Sequence, residues 1–146
     1  MNTSWTLEPF RSDDGSVPLQ RFLDGLSEFQ LTAVHAAMQR VLAVRGIELV
    51  GTQWLKPLGG GLHELRVRHD AAEIARMFGG AVPVVSGPSG AVLVRIFVHF
   101  YGDKVVLLLG GYDKGADPKP RRQQREITAA RRSLGQFNAR HRATRR

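Results

Sequence analysis

The stretch Val94-Arg95-Ile96-Phe97-Val98-His99-Phe100-Tyr101-Gly102-Asp103-Lys104-Val105-Val106-Leu107-Leu108-Leu109 decides the fold class. Two runs rich in β-branched, leucine and aromatic residues flank a Gly-Asp pair, which predicts strands over 91–101 and 105–109 joined by a two-residue hairpin turn. Such a turn sets Tyr101 against Lys104 and Arg95 against Gly110. If the second strand continues, Tyr112 and Lys114 share the parity of Gly110 and project from the face that carries Arg95. Arg95 is the only charged residue between Ala91 and Phe100.

Upstream, Leu62-His63-Glu64-Leu65-Arg66-Val67-Arg68 alternates with period two. His63, Leu65 and Val67 share one face, and Glu64, Arg66 and Arg68 share the other. Ser4 to Phe10 reads as a short edge strand, because Pro9 would interrupt a central one. Between these segments the period becomes helical. Ser16 is the expected cap of a first helix, with Pro18 in its first turn and Leu19, Phe22, Leu23 and Leu26 on one face. Ser27 and Gln30 form a capping-box pattern for a second helix, whose stripe is Leu31, Val34, Met38, Val41 and Leu42 and whose stop is Gly46. Gly59-Gly60-Gly61 reads as a flexible connector, and 71–90 as an inserted loop with a short helix over 71–78.

Asp117-Pro118 opens a terminal helix with the stripe Ile127, Ala130, Leu134 and Phe137. Residues from 138 onward lack a pattern and are expected to be a disordered basic tail. These elements read as one α+β domain over 1–137, with the stripes of the helical pair facing a sheet.

The 146 residues carry a formal net charge of +8. Ten basic residues and one acid lie from Pro118 onward, against eleven and twelve before it, so the last fifth holds the whole excess. That distribution suggests a polyanionic or acidic partner. The absence of cysteine excludes a disulfide framework, a thiol nucleophile and a Cys-ligated metal. The histidines lack metal-ligand spacing, no phosphate-binding glycine loop occurs, and no cofactor is expected. No apolar run is long enough to span a membrane and no secretory layout opens the chain, so a soluble cytoplasmic domain is expected.

One sheet face is thus expected to gather Arg66, Arg95, Tyr112 and Lys114. Guanidinium groups bind phosphate oxygens through paired donors and stabilise developing negative charge. A tyrosine stacks on a base or donates a hydrogen bond. A lysine beside two arginines has a lowered pKa and trades protons nearer neutrality. These parts suffice for metal-independent scission of RNA by its adjacent 2′-hydroxyl. Equally open is a structural Arg95, snorkelling or salt-bridged to Glu64 or Asp113.

Four segments, in order, resemble one family. Trp54-Leu55-Lys56-Pro57-Leu58-Gly59-Gly60-Gly61-Leu62-His63-Glu64-Leu65-Arg66 is similar to the K-x-L-x-x-G-L-x-E-L-R segment of HigB-like, phage-derived toxins of the RelE superfamily. Val94–Phe100 resembles their next strand with its single arginine. Val105–Gly115 resembles their last strand and its lysine-bearing end, and 121–132 their closing helix. The resemblance runs from about Trp54 to Phe137. It differs in carrying Asp113-Lys114 where many relatives have a basic pair, His63 where an aromatic is common, and a longer 71–90.

The resemblance implies a RelE-like α+β fold, an N-terminal helical pair and a C-terminal helix packed on a small twisted antiparallel sheet, and the toxin half of a type II toxin–antitoxin pair, an endoribonuclease that cuts mRNA on the ribosome. Arg66 and Arg95 would hold the scissile phosphate, Lys114 would donate a proton or stabilise charge, and Tyr112 would contact substrate. Arg68, Arg121, Arg122, Arg125 and Arg132 are the expected RNA-docking residues. The implied partner is a cognate antitoxin, often a helix-turn-helix protein. Alternatives are a non-catalytic inhibitor of a protein such as gyrase, as in the ParE branch, and a non-toxic nucleic-acid-binding domain.

Overall fold

The computed structural model describes residues 4–82, 84–85 and 87–144. The elements run β1 (Thr6–Pro9), α1 (Pro18–Asp24), α2 (Glu28–Ala36), a π-helical stretch (Ala37–Leu42), α3 (Ala43–Arg45), a 3-10 turn (Gly46–Leu49), β2 (Leu55–Gly59), β3 (Leu62–Val67), α4 (Ala71–Phe78), β4 (Val94–Tyr101), β5 (Val105–Asp113) and α5 (Pro120–Thr144). The strands form one sheet in the order β1-β5-β4-β3-β2. The fold is α+β, but the sheet is mixed rather than antiparallel: β1 lies at the edge as expected and runs parallel to β5. Local alternation carries no information about the direction of a distant edge partner.

Helix starts follow local chemistry. Ser27 and Gln30 close the capping box, with both hydrogen bonds at 3.1 Å. Asp70 and Glu73 make a second box that starts α4. In α1 the cap is Val17, not Ser16, and Pro18 begins the helix. Ser16 instead closes the preceding turn with Ser12 and Asp14. Gly46 ends the second helical run at φ 52°, and a Cβ there would overlap the Trp5 ring, so a larger residue would force that ring to move.

The sheet separates two cores. On one face Val94, Ile96, Val98, Leu65, Val67, Val106 and Leu108 pack against Leu19, Val34, Val41 and Leu42 of the helical layer. On the other, Leu62, Phe97, Leu107 and Leu109 pack against Ala130 and Leu134 of α5. This division follows the alternation of β3 and β4.

Three local readings are corrected. Leu55–Gly59 is a strand, so Gly59-Gly60-Gly61 lies at the β2–β3 turn and is not a flexible connector. Arg131 clamps that turn by donating to the Gly59 and Leu58 carbonyls at 3.0 and 2.7 Å. The β4–β5 turn holds three residues, Tyr101 facing Val105, with Gly102 and Lys104 both at positive φ. A bulge between the Val98–Leu108 and Phe97–Gly110 pairs shifts the register again and sets Arg95 opposite Tyr112. The two displacements leave parity unchanged, so Tyr112 still shares the face of Arg95.

The terminal helix continues past Phe137 to Thr144 in place of a disordered tail, with 145–146 outside the described residues. His141 stacks on Phe137 at 5.0 Å, and Arg140 donates to the Arg11 carbonyl while covering the Phe10 ring. The 71–90 segment holds α4. Its other described residues have no regular structure, and Pro83 and Ser86 lie outside the described residues.

A Cβ on Gly111 would meet the Arg95 carbonyl at 2.6 Å and Ile96 at 2.9 Å. Gly111→Ala should therefore lower stability by about 1–3 kcal/mol, as overpacking does. Gly135, within α5 and with nothing within 4 Å of its Cβ position, should respond oppositely: Gly135→Ala should raise stability by about 0.5–1 kcal/mol. Urea denaturation of both variants checks the pair.

Candidate functional site

The α5-facing side of the sheet brings the four expected residues together. Arg66 pairs directly with Arg95 across β3 and β4, and Arg95 pairs with Tyr112 across β4 and β5. Two like charges side by side on neighbouring strands repel. Glu64, two residues before Arg66 on the same face, supplies the opposite charge. Its Oε1 lies 3.3 Å from the Arg66 Nε and 3.6 Å from the Arg95 Nε. Its Oε2 accepts from Gln123 Nε2 of α5 at 3.1 Å. Glu64 is wholly buried. Asp113, the other expected partner of Arg95, instead accepts from Gln30 at 2.7 Å.

Burial divides the four. Arg95 is 2% exposed and Tyr112 1%, both beneath α5. The Arg66 side chain is 23% exposed, and Lys114, just past β5, is half-buried. Arg68 is exposed at the end of β3. The site thus has a rim of Arg66, Arg68 and Lys114 and a floor of Arg95, Glu64 and Tyr112.

The floor is not fully satisfied. The Arg95 Nε and Nη1 and the Tyr112 hydroxyl have no hydrogen-bond partner among the described residues. Burial lowers the Arg95 pKa below the usual arginine value, with Glu64 opposing and Arg66 and Arg68 reinforcing the shift. Burial likewise raises the Tyr112 phenol above its usual value. At the rim, Lys114 is lowered, first by burial, then by the charge of Arg95, against the pull of Glu64. The direction is the one expected for a lysine among arginines, but burial rather than their charge is its larger cause.

The first turns of α5 form the roof. Arg122 lies over the Tyr112 ring at 5.5 Å. It is held by Glu126 at 2.7 Å and Asp117 at 3.6 Å. Arg122 therefore points inward, whereas Arg121, Arg125 and Arg132 form an exposed ridge along the helix. The sheet-facing line of α5 starts with Gln123 and Glu126 before the apolar stripe begins at Ile127. Sequence reasoning began that line at Ile127 and so missed both polar residues. The available signal was their spacing of seven and four residues from Ala130.

Among the described residues no group of three or more His, Asp and Glu could hold a metal ion. No helix among them is long and apolar enough to cross a membrane. Set against known proteins, the chain matches no family model, and no curated protein matches it significantly.

Removing the shared carboxylate should leave Arg95 buried and unpaired, so Glu64→Ala should cost about 3–5 kcal/mol in urea denaturation. Tyr112→Phe removes a buried hydroxyl without a partner and should raise stability by about 1 kcal/mol. Lys114 binds its proton more weakly folded than unfolded, so its charge opposes folding at neutral pH. Stability should rise as pH climbs from the lowered folded value toward the usual 10.5. Lys114→Gln should remove that part of the rise, as read from denaturation midpoints of both proteins across the alkaline range.

Proposed function

We propose that this chain is a toxin of the RelE superfamily, of the HigB-like kind, which cleaves mRNA on the ribosome without a metal and is neutralised by a cognate antitoxin. The observation that carries the reading is the convergence of Arg66, Arg68, Lys114 and Arg95 about one carboxylate, Glu64, on a single sheet face. One negative charge against four positive leaves a local excess beside partly buried donors, an environment suited to a phosphate diester. The four ordered motifs from Trp54 to Phe137 support the same reading.

The rim performs the chemistry in this scheme. Arg66 and Arg68 bind non-bridging oxygens and stabilise the charge that builds as the 2′-oxygen, its proton passing to solvent water, bonds to phosphorus and the bond from phosphorus to the 5′-oxygen breaks. Lys114, with its proton held less tightly than usual, donates to the leaving 5′-oxygen. Arg95, covered by α5, acts as a positioning residue through Glu64. Tyr112 supports Arg122 from below. The ridge of Arg121, Arg125 and Arg132 docks on ribosomal RNA, and the antitoxin, a helix-turn-helix protein, covers the rim in the cytoplasm.

That same exposed ridge favours a second reading, a nucleic-acid-binding domain without catalysis. Induced expression in a bacterial host separates the two. The toxin reading expects growth arrest with cut mRNA, and a loss of cleavage rate of about 100-fold or more in Arg66→Ala or Lys114→Ala. Normal growth with abundant folded protein would overturn it. Arrest with intact mRNA would point to a protein target such as gyrase. RNA binding that weakens steeply with salt yet ignores Lys114→Ala would favour the second reading.

A further inference from the structure

Beside the cationic site lies a cleft with no part in the scheme above. It exists because β1 ends early. Pro9 pairs with Leu108, whereas β5 continues to Asp113, so Gly110 and Gly111 have no strand on their outer side. The start of α1 stands at that open edge, and α5 crosses above it. Two of the surrounding surfaces are made of small residues: Gly110 and Gly111 on the strand, and Ala129, Ala130 and Ser133 on α5. They leave a cleft of about 380 Å³, within the size range of small-ligand sites.

The lining is that of a site for a flat, partly polar ring. Phe22 offers aromatic surface, and Phe97, 1% exposed and stacked on Tyr112 with the rings 8° from parallel, closes the cleft from beneath. Arg21 and Arg122 stand at the rim with a single carboxylate, Glu126. Arg122 engages Glu126 through Oε2, which leaves Oε1 to accept from a ligand. Aromatic surface takes the face of a nucleobase, arginines take the attached phosphate, and a carboxylate oxygen takes an exocyclic amino group.

We propose that this cleft is a nucleobase subsite for single-stranded RNA, selecting bases that present an amino group to Glu126. The inference rests on the RNA-directed reading of the neighbouring site. The Arg122 side chain joins the two, since it covers Tyr112 and also lines the cleft. Adenine, cytosine and guanine carry amino donors, and uracil does not.

The test is titration of the full-length protein with each of the four 5′-nucleoside monophosphates, followed by amide NMR shifts. Shifts centred on Phe22, Gly110, Gly111 and Ala129 are expected, with UMP weakest. Ala129→Trp, at an exposed position on α5, should fill the cleft and weaken binding by about tenfold or more, with circular dichroism showing the fold retained. Arg21→Ala should weaken all four nucleotides together. Glu126→Gln should remove the disadvantage of UMP. The proposal is overturned if no shifts occur, if they map elsewhere, if inorganic phosphate alone reproduces them, or if UMP binds as well as the others. Binding is read without catalysis. Cells that grow normally while nucleotides bind would therefore sink the toxin reading and leave the cleft standing, and mRNA cleavage without nucleotide binding would do the reverse.

Discussion

Glu64 is wholly buried where β3, β4 and α5 meet, and the Arg66 guanidinium, the Arg95 guanidinium and the Gln123 amide converge on its two oxygens. A buried carboxylate is costly unless its charge is opposed and its lone pairs are engaged. Here the same group also makes the Arg66–Arg95 pairing tolerable, since those cations lie directly opposite each other on adjacent strands. It ties the sheet to α5. The position of α5, the burial of Arg95 and the partial exposure of Arg66 all depend on this contact.

The terminal helix divides accordingly. Its first turns are polar toward the sheet, placing Arg122, Gln123 and Glu126 over the buried tyrosine and carboxylate. Its middle is apolar, with Ala130 and Leu134 closing the second core. Its end is held by Phe137, Arg140 and His141 against β4 and the segment after β1. The apolar middle and the aromatic end anchor the helix and allow a partly unsatisfied polar start. Local rules fail at such places because tertiary anchoring elsewhere on the helix outweighs them.

Periodicity made much of this legible. The alternation of Leu62–Arg68 and of Val94–Tyr101 placed Arg66 and Arg95 on one face, and the capping box at Ser27 located α2. The face of Tyr112 was reached through two displacements that cancelled. The turn is longer by one residue because Lys104 adopts a positive φ that its side-chain type does not announce. The bulge before Gly110 then restores parity, and Gly110-Gly111 was its only available sign. β2 was hidden by Pro57 and the glycines that follow it. The direction of β1 and the extension of α5 to Thr144 depend on distant partners: β5 for the strand, Arg11 and Phe10 for the helix. Burial was the least legible property. Parity tells which face a side chain takes, not what will cover it.

That last distinction reassigns the arginines. A guanidinium that is 2% exposed beneath a helix anchored at both ends does not meet a phosphate in this conformation. Arg66, tethered by one bond to Glu64 at 3.3 Å, keeps part of its donor fork toward solvent. The buried arginine sets the charge around the carboxylate, and the carboxylate aims the exposed arginine. A sheet built for stability alone would place an apolar residue at one of these two paired positions and so avoid both the repulsion and the unpartnered Arg95 donors. The positive charge gathered at 66, 68, 95 and 114 is therefore the feature that stability does not explain. It is also the one that recognition of an anionic partner requires.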